Sequence, residues 1–154
     1  FTSYLNRFQI VSFSFVKDIR IAGELNQGDN FRALNIGLGL ALEIPTFTFF
    51  DLNLFHRDDN FNDPTAQLTL AWQRKFSVFK APLLFEGFFD YYGNDYGTEI
   101  VTQPRLLVDG KIISDKLDTL HAGFEFYYYK SSATPWRSER VNELVPQLMV
   151  KWIW

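Results

Sequence analysis

Apolar and polar residues alternate in steps of two along most of the chain, the period of a β-strand with one dry and one wet face. In residues 18–27, Ile19, Ile21, Gly23 and Leu25 alternate with Arg20, Ala22, Glu24 and Asn26. In 34–44, five apolar positions from Leu34 to Leu42 alternate with Asn35, Gly37, Gly39, Ala41 and Glu43. Phe50, Leu52 and Leu54 oppose Asp51, Asn53 and Phe55, and Ala66, Leu68, Leu70 and Trp72 oppose Gln67, Thr69, Ala71 and Gln73. The same pattern covers 83–92, 103–109, 120–129 and 143–154, with a weaker ninth segment at 9–15. No helical period separates these runs. Eight or nine consecutive strands predict an all-β, antiparallel up-and-down sheet in a single domain over residues 1–154.

The connections alternate in character. Residues 27–30, 57–64, 93–97 and 130–142 are polar, whereas the Pro45 turn and the links at 74–80 and 110–116 are less acidic. Longer loops at one rim and tighter turns at the other are expected of a bacterial outer-membrane barrel.

Composition narrows the classes. Aromatic residues make up 18% of the chain, far more than a disordered segment carries. With no cysteine, disulfides and thiol chemistry are excluded, and two histidines, His56 and His121, leave little for a catalytic metal. A net charge of -3 argues against nucleic acid as a partner. No apolar run is long enough for a membrane helix, which leaves strands as the means of crossing.

Alternation alone does not say which face is wet, since a soluble lipocalin-like barrel shows the same period with the opposite sense. Three features favour apolar-out. The polar face mixes Arg20, Glu24, Glu43, Asp51, Glu86, Asp90, Arg105, Asp109, Glu125 and Lys151 with Gly, Ala, Asn and Gln, a set of small and mutually neutralising groups suited to a barrel interior. The apolar face would overfill a closed core if turned inward. Aromatics gather near strand ends, at Phe47, Phe49, Trp72, Phe76, Tyr91, Tyr92, Tyr127–Tyr129, Trp152 and Trp154, as interfacial girdles do. The expected class is a transmembrane β-barrel whose outer face meets membrane lipid.

The segments FVKDIRIAGELNQGDNFRALNIGLGLALEIPTFTFFDLNLFHRDD and LFEGFFDYYG, then TQPRLLVD and VPQLMVKWIW, resemble the Tsx-like nucleoside-specific channels of Gram-negative outer membranes, particularly the OmpK-type branch. The resemblance runs from about Phe15 to Trp154. It implies a twelve-stranded barrel passing nucleosides and similar small solutes, with loops that serve some members as phage receptors. Against twelve strands, this chain supplies eight or nine, and it opens on Phe1 without a leader, so N-terminal strands are expected to be missing from it. The alternative is a complete eight-stranded barrel with residues 1–16 as an arm.

A passage for nucleosides needs aromatic faces for the base and carboxylates or amides for the ribose hydroxyls. The expected solute-contacting residues are Arg20, Glu24, Asp51, Asn53, Phe55, Glu86, Phe88, Asp90, Arg105, Glu125 and Tyr127, without cofactor, metal or catalytic step. The competing account of the same charges is a filled barrel rigidified by internal ion pairs, whose loops, notably 130–142, bind a phage or another surface ligand. His121 is expected near Glu125, His56 at the loop rim, and Asp58, Asp59 and Asp63 form an acidic loop of no recognised calcium-binding spacing. Glu86 and Asp90 share a face, as the carboxylates of a hydrolase must, but no nucleophile accompanies them. Pro82, Pro104 and Pro146 fall where strands would lose a ladder donor.

Overall fold

The computed structural model describes residues 15–95, 97–132 and 140–153. Their strands are β1 (Val16–Gln27), β2 (Arg32–Leu42), β3 (Phe49–Asp59), β4 (Thr65–Val78), β5 (Ala81–Asn94), β6 (Gly97–Thr102), β7 (Arg105–Asp109), β8 (Leu120–Ser131) and β9 (Val141–Trp152). Every pairing is antiparallel and sequential, and β6 and β7 share one place between β5 and β8. They are one strand interrupted at Gln103 and Pro104. Across the break, the Gln103 N–H still donates to Phe88 O at 3.1 Å, and Pro104 O accepts from the Phe126 N–H at 3.0 Å. Eight strand positions result, as the alternation predicts. The ninth segment anticipated at 9–15 lies almost wholly outside the described residues.

The faces are sorted as expected. Leu38, Phe124 and Leu148 are 58%, 54% and 84% exposed, whereas Asn35, Gln67 and Glu86 are 0%, 2% and 6% exposed. A single-layered sheet can bury one face only by curling, so the polar face is the concave one. Curling also explains how Lys151 on β9 reaches Glu86 on β5 at 2.7 Å. Those strands are three places apart, about 14 Å across a flat sheet at roughly 4.8 Å per step. Among the described residues, no ladder joins β1 to β9, and these two strands are the edges of the described sheet.

Pro146 sits on one of these edges without disturbing the ladder beneath it. Its partner on β8, Phe126, directs its N–H to Pro104 on the other side. The Phe126–Pro146 pair is therefore of the type not hydrogen-bonded within the β8–β9 ladder, and the donor missing at Pro146 points outward.

Two expectations needed revision. Loop length does not alternate cleanly: residues 93–97, expected as a loop, are mostly strand, while the rim expected to be tight carries ten residues between β7 and β8, with 3-10 turns at Gly110–Ile112 and Asp115–Leu117. The aromatic girdle is also unequal. At the rim where β2 meets β3, Phe47 packs against Phe50 at 5.6 Å, Trp72 against Phe85 at 5.9 Å, and Arg74 lies over Phe47 and Phe76 at 6.0 and 5.5 Å. Trp72 has room because Gly87 faces it, where an added Cβ would come within 2.9 Å of the indole. At the opposite rim, Tyr92 and Tyr129 turn inward instead, both donating to Glu99.

Candidate functional site

Register places the inward side chains in rows that cross the sheet. Ala22 faces Gly37, Phe55, Gln67, Tyr92 and Glu99 in turn, and Arg20 faces Gly39, Asn53, Thr69, Asp90 and Val101. A third row runs Glu24, Asn35, Arg57. Between these rows lies a cavity of about 490 Å³ lined by Glu24, Phe31, Asn53, Phe55, Arg57, Thr69, Phe88, Asp90 and Tyr92, among others. Five of these residues, Glu24, Asn53, Phe55, Phe88 and Asp90, were expected from the sequence.

Arg57 organises the wall of this cavity. Its Nε donates to Asp59 at 3.0 Å and Nη1 to Gln67 at 2.9 Å, and its guanidinium lies 4.2 Å from the centre of the Tyr92 ring. Carboxylate, amide and aromatic face together offset the desolvation of a buried cation. From Gln67 the network continues to Thr69 at 2.9 Å, whose hydroxyl donates to Asp90 at 2.6 Å. On the other side, the Asn35 amide donates to Gln67 at 3.3 Å and to Glu24 at 3.4 Å, and Asn26 donates to Glu24 at 3.0 Å. One chain of hydrogen bonds thus spans β1 to β5.

A second network occupies the interior between β4 and β9. Glu86 accepts from Lys151 at 2.7 and 2.8 Å and from Gln73 at 3.1 Å, with Arg105 at 3.8 Å. Arg105 also pairs with Glu125. Of the expected contact residues, Glu86, Arg105 and Glu125 belong here, not to the cavity. Arg20 and Asp51 form a third group, paired at 2.6 Å across the intervening Gly39. A side chain at Gly39 would meet Asn53 Oδ1 at 2.6 Å and the Arg20 stem at 3.0 Å, so glycine there lets the pair bridge β1 and β3. Tyr127 is half-buried on the inner face and lines neither the cavity nor the second network.

Arg57, Gln67, Thr69, Tyr92 and Glu99 were not anticipated as site residues. The available signal was the alternation of β3, which runs on through Asp51, Asn53, Phe55, Arg57 and Asp59 after the hydrophobic partners cease. His121 is buried on the inner face, but its nearest acid is Asp109 at 3.9 Å, not Glu125. His56 is exposed. In the acidic loop, Asp59 is occupied by Arg57, by the N–H groups of Phe61 and Asn62 and by the Asn62 amide. Among the described residues, no cluster of metal-ligating side chains forms.

The net charge of the wall follows from these pairings. Arg20, Arg57, Arg105 and Lys151 each have a carboxylate partner. Among the described residues, Glu24, Asp90 and Glu99 accept hydrogen bonds from neutral donors: two amides, a threonine hydroxyl, and two tyrosine hydroxyls with an amide. No family model, curated protein or solved structure matches the chain.

Proposed function

We propose that this sheet is the wall of a passive outer-membrane channel for nucleosides or similarly sized polar solutes. The observation that carries the proposal is the inverted burial: large apolar side chains cover the convex face, and charged and amide groups converge on the concave one. A soluble protein gains nothing from exposing Leu38, Phe124 and Leu148, whereas a bilayer supplies the apolar phase they need. The dimensions agree. Eleven-residue strands such as β2 extend for about 36 Å, and at a tilt of about 40° they rise roughly 28 Å, close to the apolar band of a barrel.

Supporting this reading, the cavity sets Phe55, Phe88 and Tyr92 beside Asp90, Glu24 and Asn53, a stacking surface next to hydrogen-bonding groups. The resemblance to Tsx-like channels points to the same solute class, and the position of β1 and β9 as edges among the described residues suits a wall completed by further strands.

A second reading is favoured by one observation. The Gln73–Glu86–Arg105–Glu125–Lys151 network ties β4 to β9 across the interior, as in a filled structural barrel whose loops bind a partner such as phage. The loop expected to do this, 130–142, lies mostly outside the described residues. Planar-bilayer recording separates the two. A channel gives unit conductance that adenosine or thymidine reduces in the millimolar range. A silent barrel, with phage adsorption lost on deletion of the loop, leaves the second reading standing.

A further inference from the structure

We infer that the outer face of the β4–β5 hairpin holds an anionic phospholipid, with the headgroup phosphate on the Arg74 guanidinium. The inference rests on the reading of the convex face as lipid-facing. Gln73 reaches Glu86 in the interior at 3.1 Å, so alternation turns Arg74 outward, in line with Leu70, Trp72 and Phe76. Across this half of β2 to β5 the other outward positions are apolar, which makes Arg74 the single outward charge there.

Its depth fits a headgroup. The β3–β4 ladder stops at the Phe49–Gln73 pair, where the Thr48 N–H also donates to Gln73 O at 2.7 Å. Beyond that bond β4 runs on to Val78 paired with β5 on its other side. Arg74 therefore occupies the step between the β2–β3 turn and the projecting hairpin. Phe47 comes to it from the turn at 6.0 Å and Phe76 from the hairpin at 5.5 Å. Aromatic side chains collect where a barrel's apolar band gives way to headgroups.

Charge supplies a second, separate observation. Among the described residues, Arg74 has no carboxylate partner: its Nε is covered without an acceptor, and its Nη groups donate to no protein atom. A guanidinium set among aromatic rings on a lipid face is costly unless a counter-charge meets it. The hairpin offers none. No acidic residue stands between Asp63 and Glu86, whereas Lys75 and Lys80 lie exposed on the same hairpin. A phosphodiester matches the planar fork of arginine. An acyl chain continuing over Trp72 and Phe85, which pack at 5.9 Å, covers the adjoining apolar surface. The two lysines favour a lipid of net negative charge over a zwitterionic one.

Trp72, two residues from Arg74 on the same face, reports on the site. The full-length protein is refolded into phosphatidylcholine vesicles containing a fixed fraction of lipid brominated on its acyl chains, either phosphatidylglycerol or phosphatidylcholine. Quenching of Trp72 is the difference between the unaltered protein and Trp72→Phe. Phosphatidylglycerol is expected to associate about fivefold more strongly than phosphatidylcholine. That preference is expected to be lost in Arg74→Gln and largely kept in Arg74→Lys. Equal quenching by the two lipids, or an undiminished preference in Arg74→Gln, overturns the inference. Comparing the two lipids needs only the native Arg74, and so stands whether or not Arg74→Gln refolds. Failure of the underlying reading looks different. If neither lipid quenches Trp72, lipid contact on this face falls and the site with it, whereas equal quenching removes the site alone.

Discussion

Thr46 adopts φ 76° at the third position of the turn Ile44–Pro45–Thr46–Phe47, closed by the Phe47 N–H donating to Ile44 O at 3.1 Å. That left-handed position is glycine's in a turn with proline second, and a β-branched residue there is strained. Phe79 and Lys80 are also left-handed, at φ 49° and 68°, in the two-residue turn between β4 and β5. Thr46→Gly is expected to raise stability by about 1 kcal/mol, read as a higher urea midpoint in refolded protein with the m-value unchanged. A fall in midpoint would show that the Thr46 side chain makes a compensating contact. Such backbone strain is illegible in sequence, because Pro45 signals a turn without saying that its neighbour is the wrong residue for it. The site residues show the same limit. Glu24, Asp51 and Asp90 were legible as inward by parity, but parity does not say which cation each would meet. Arg20 crosses two strands to Asp51, and Lys151 crosses three to Glu86. These partnerships depend on curvature, which emerges only from the whole sheet.

At the scale of the strand, what alternation predicted was found: the observed strands keep the anticipated parity throughout, often with two to four further residues at an end. The exception is instructive. β6 was missed because its pattern is locally inverted, with Val101 inward and Thr102 outward, and because Pro104 breaks the strand just beyond. Outward positions on the central strands should be the least tolerant of charge. Leu38 lies midway along β2, and its register partners Ile21 and Leu54 are equally apolar and exposed. Leu38→Arg is expected to cost about 2–4 kcal/mol in a bilayer, measured by urea titration of the protein refolded into vesicles. Destabilisation much below this would count against lipid contact on that face. Thr69 on the concave side is the natural comparison, since it already sits among Gln67, Asp90 and Asn53.

At the scale of the molecule, the sheet is held by its ladders and by two polar networks, one spanning β1 to β5 and the other β4 to β9. They overlap at β4 and β5, so the middle of the wall is braced from both sides and its margins from one. β9 is the most exposed strand, open on both faces over much of its length. Pro146→Val restores the N–H on its free edge and is expected to increase self-association of the detergent-solubilised protein, followed by sedimentation velocity. An unchanged sedimentation profile would show that this edge is already covered. Proline at that position does more than discourage unwanted partners. A strand laid along β9 must forgo one bond opposite residue 146, and sliding it along the edge moves that lost bond to a different place in its own sequence. The absent hydrogen acts as a fiducial mark: the rightful neighbour is the one that has no acceptor to waste there.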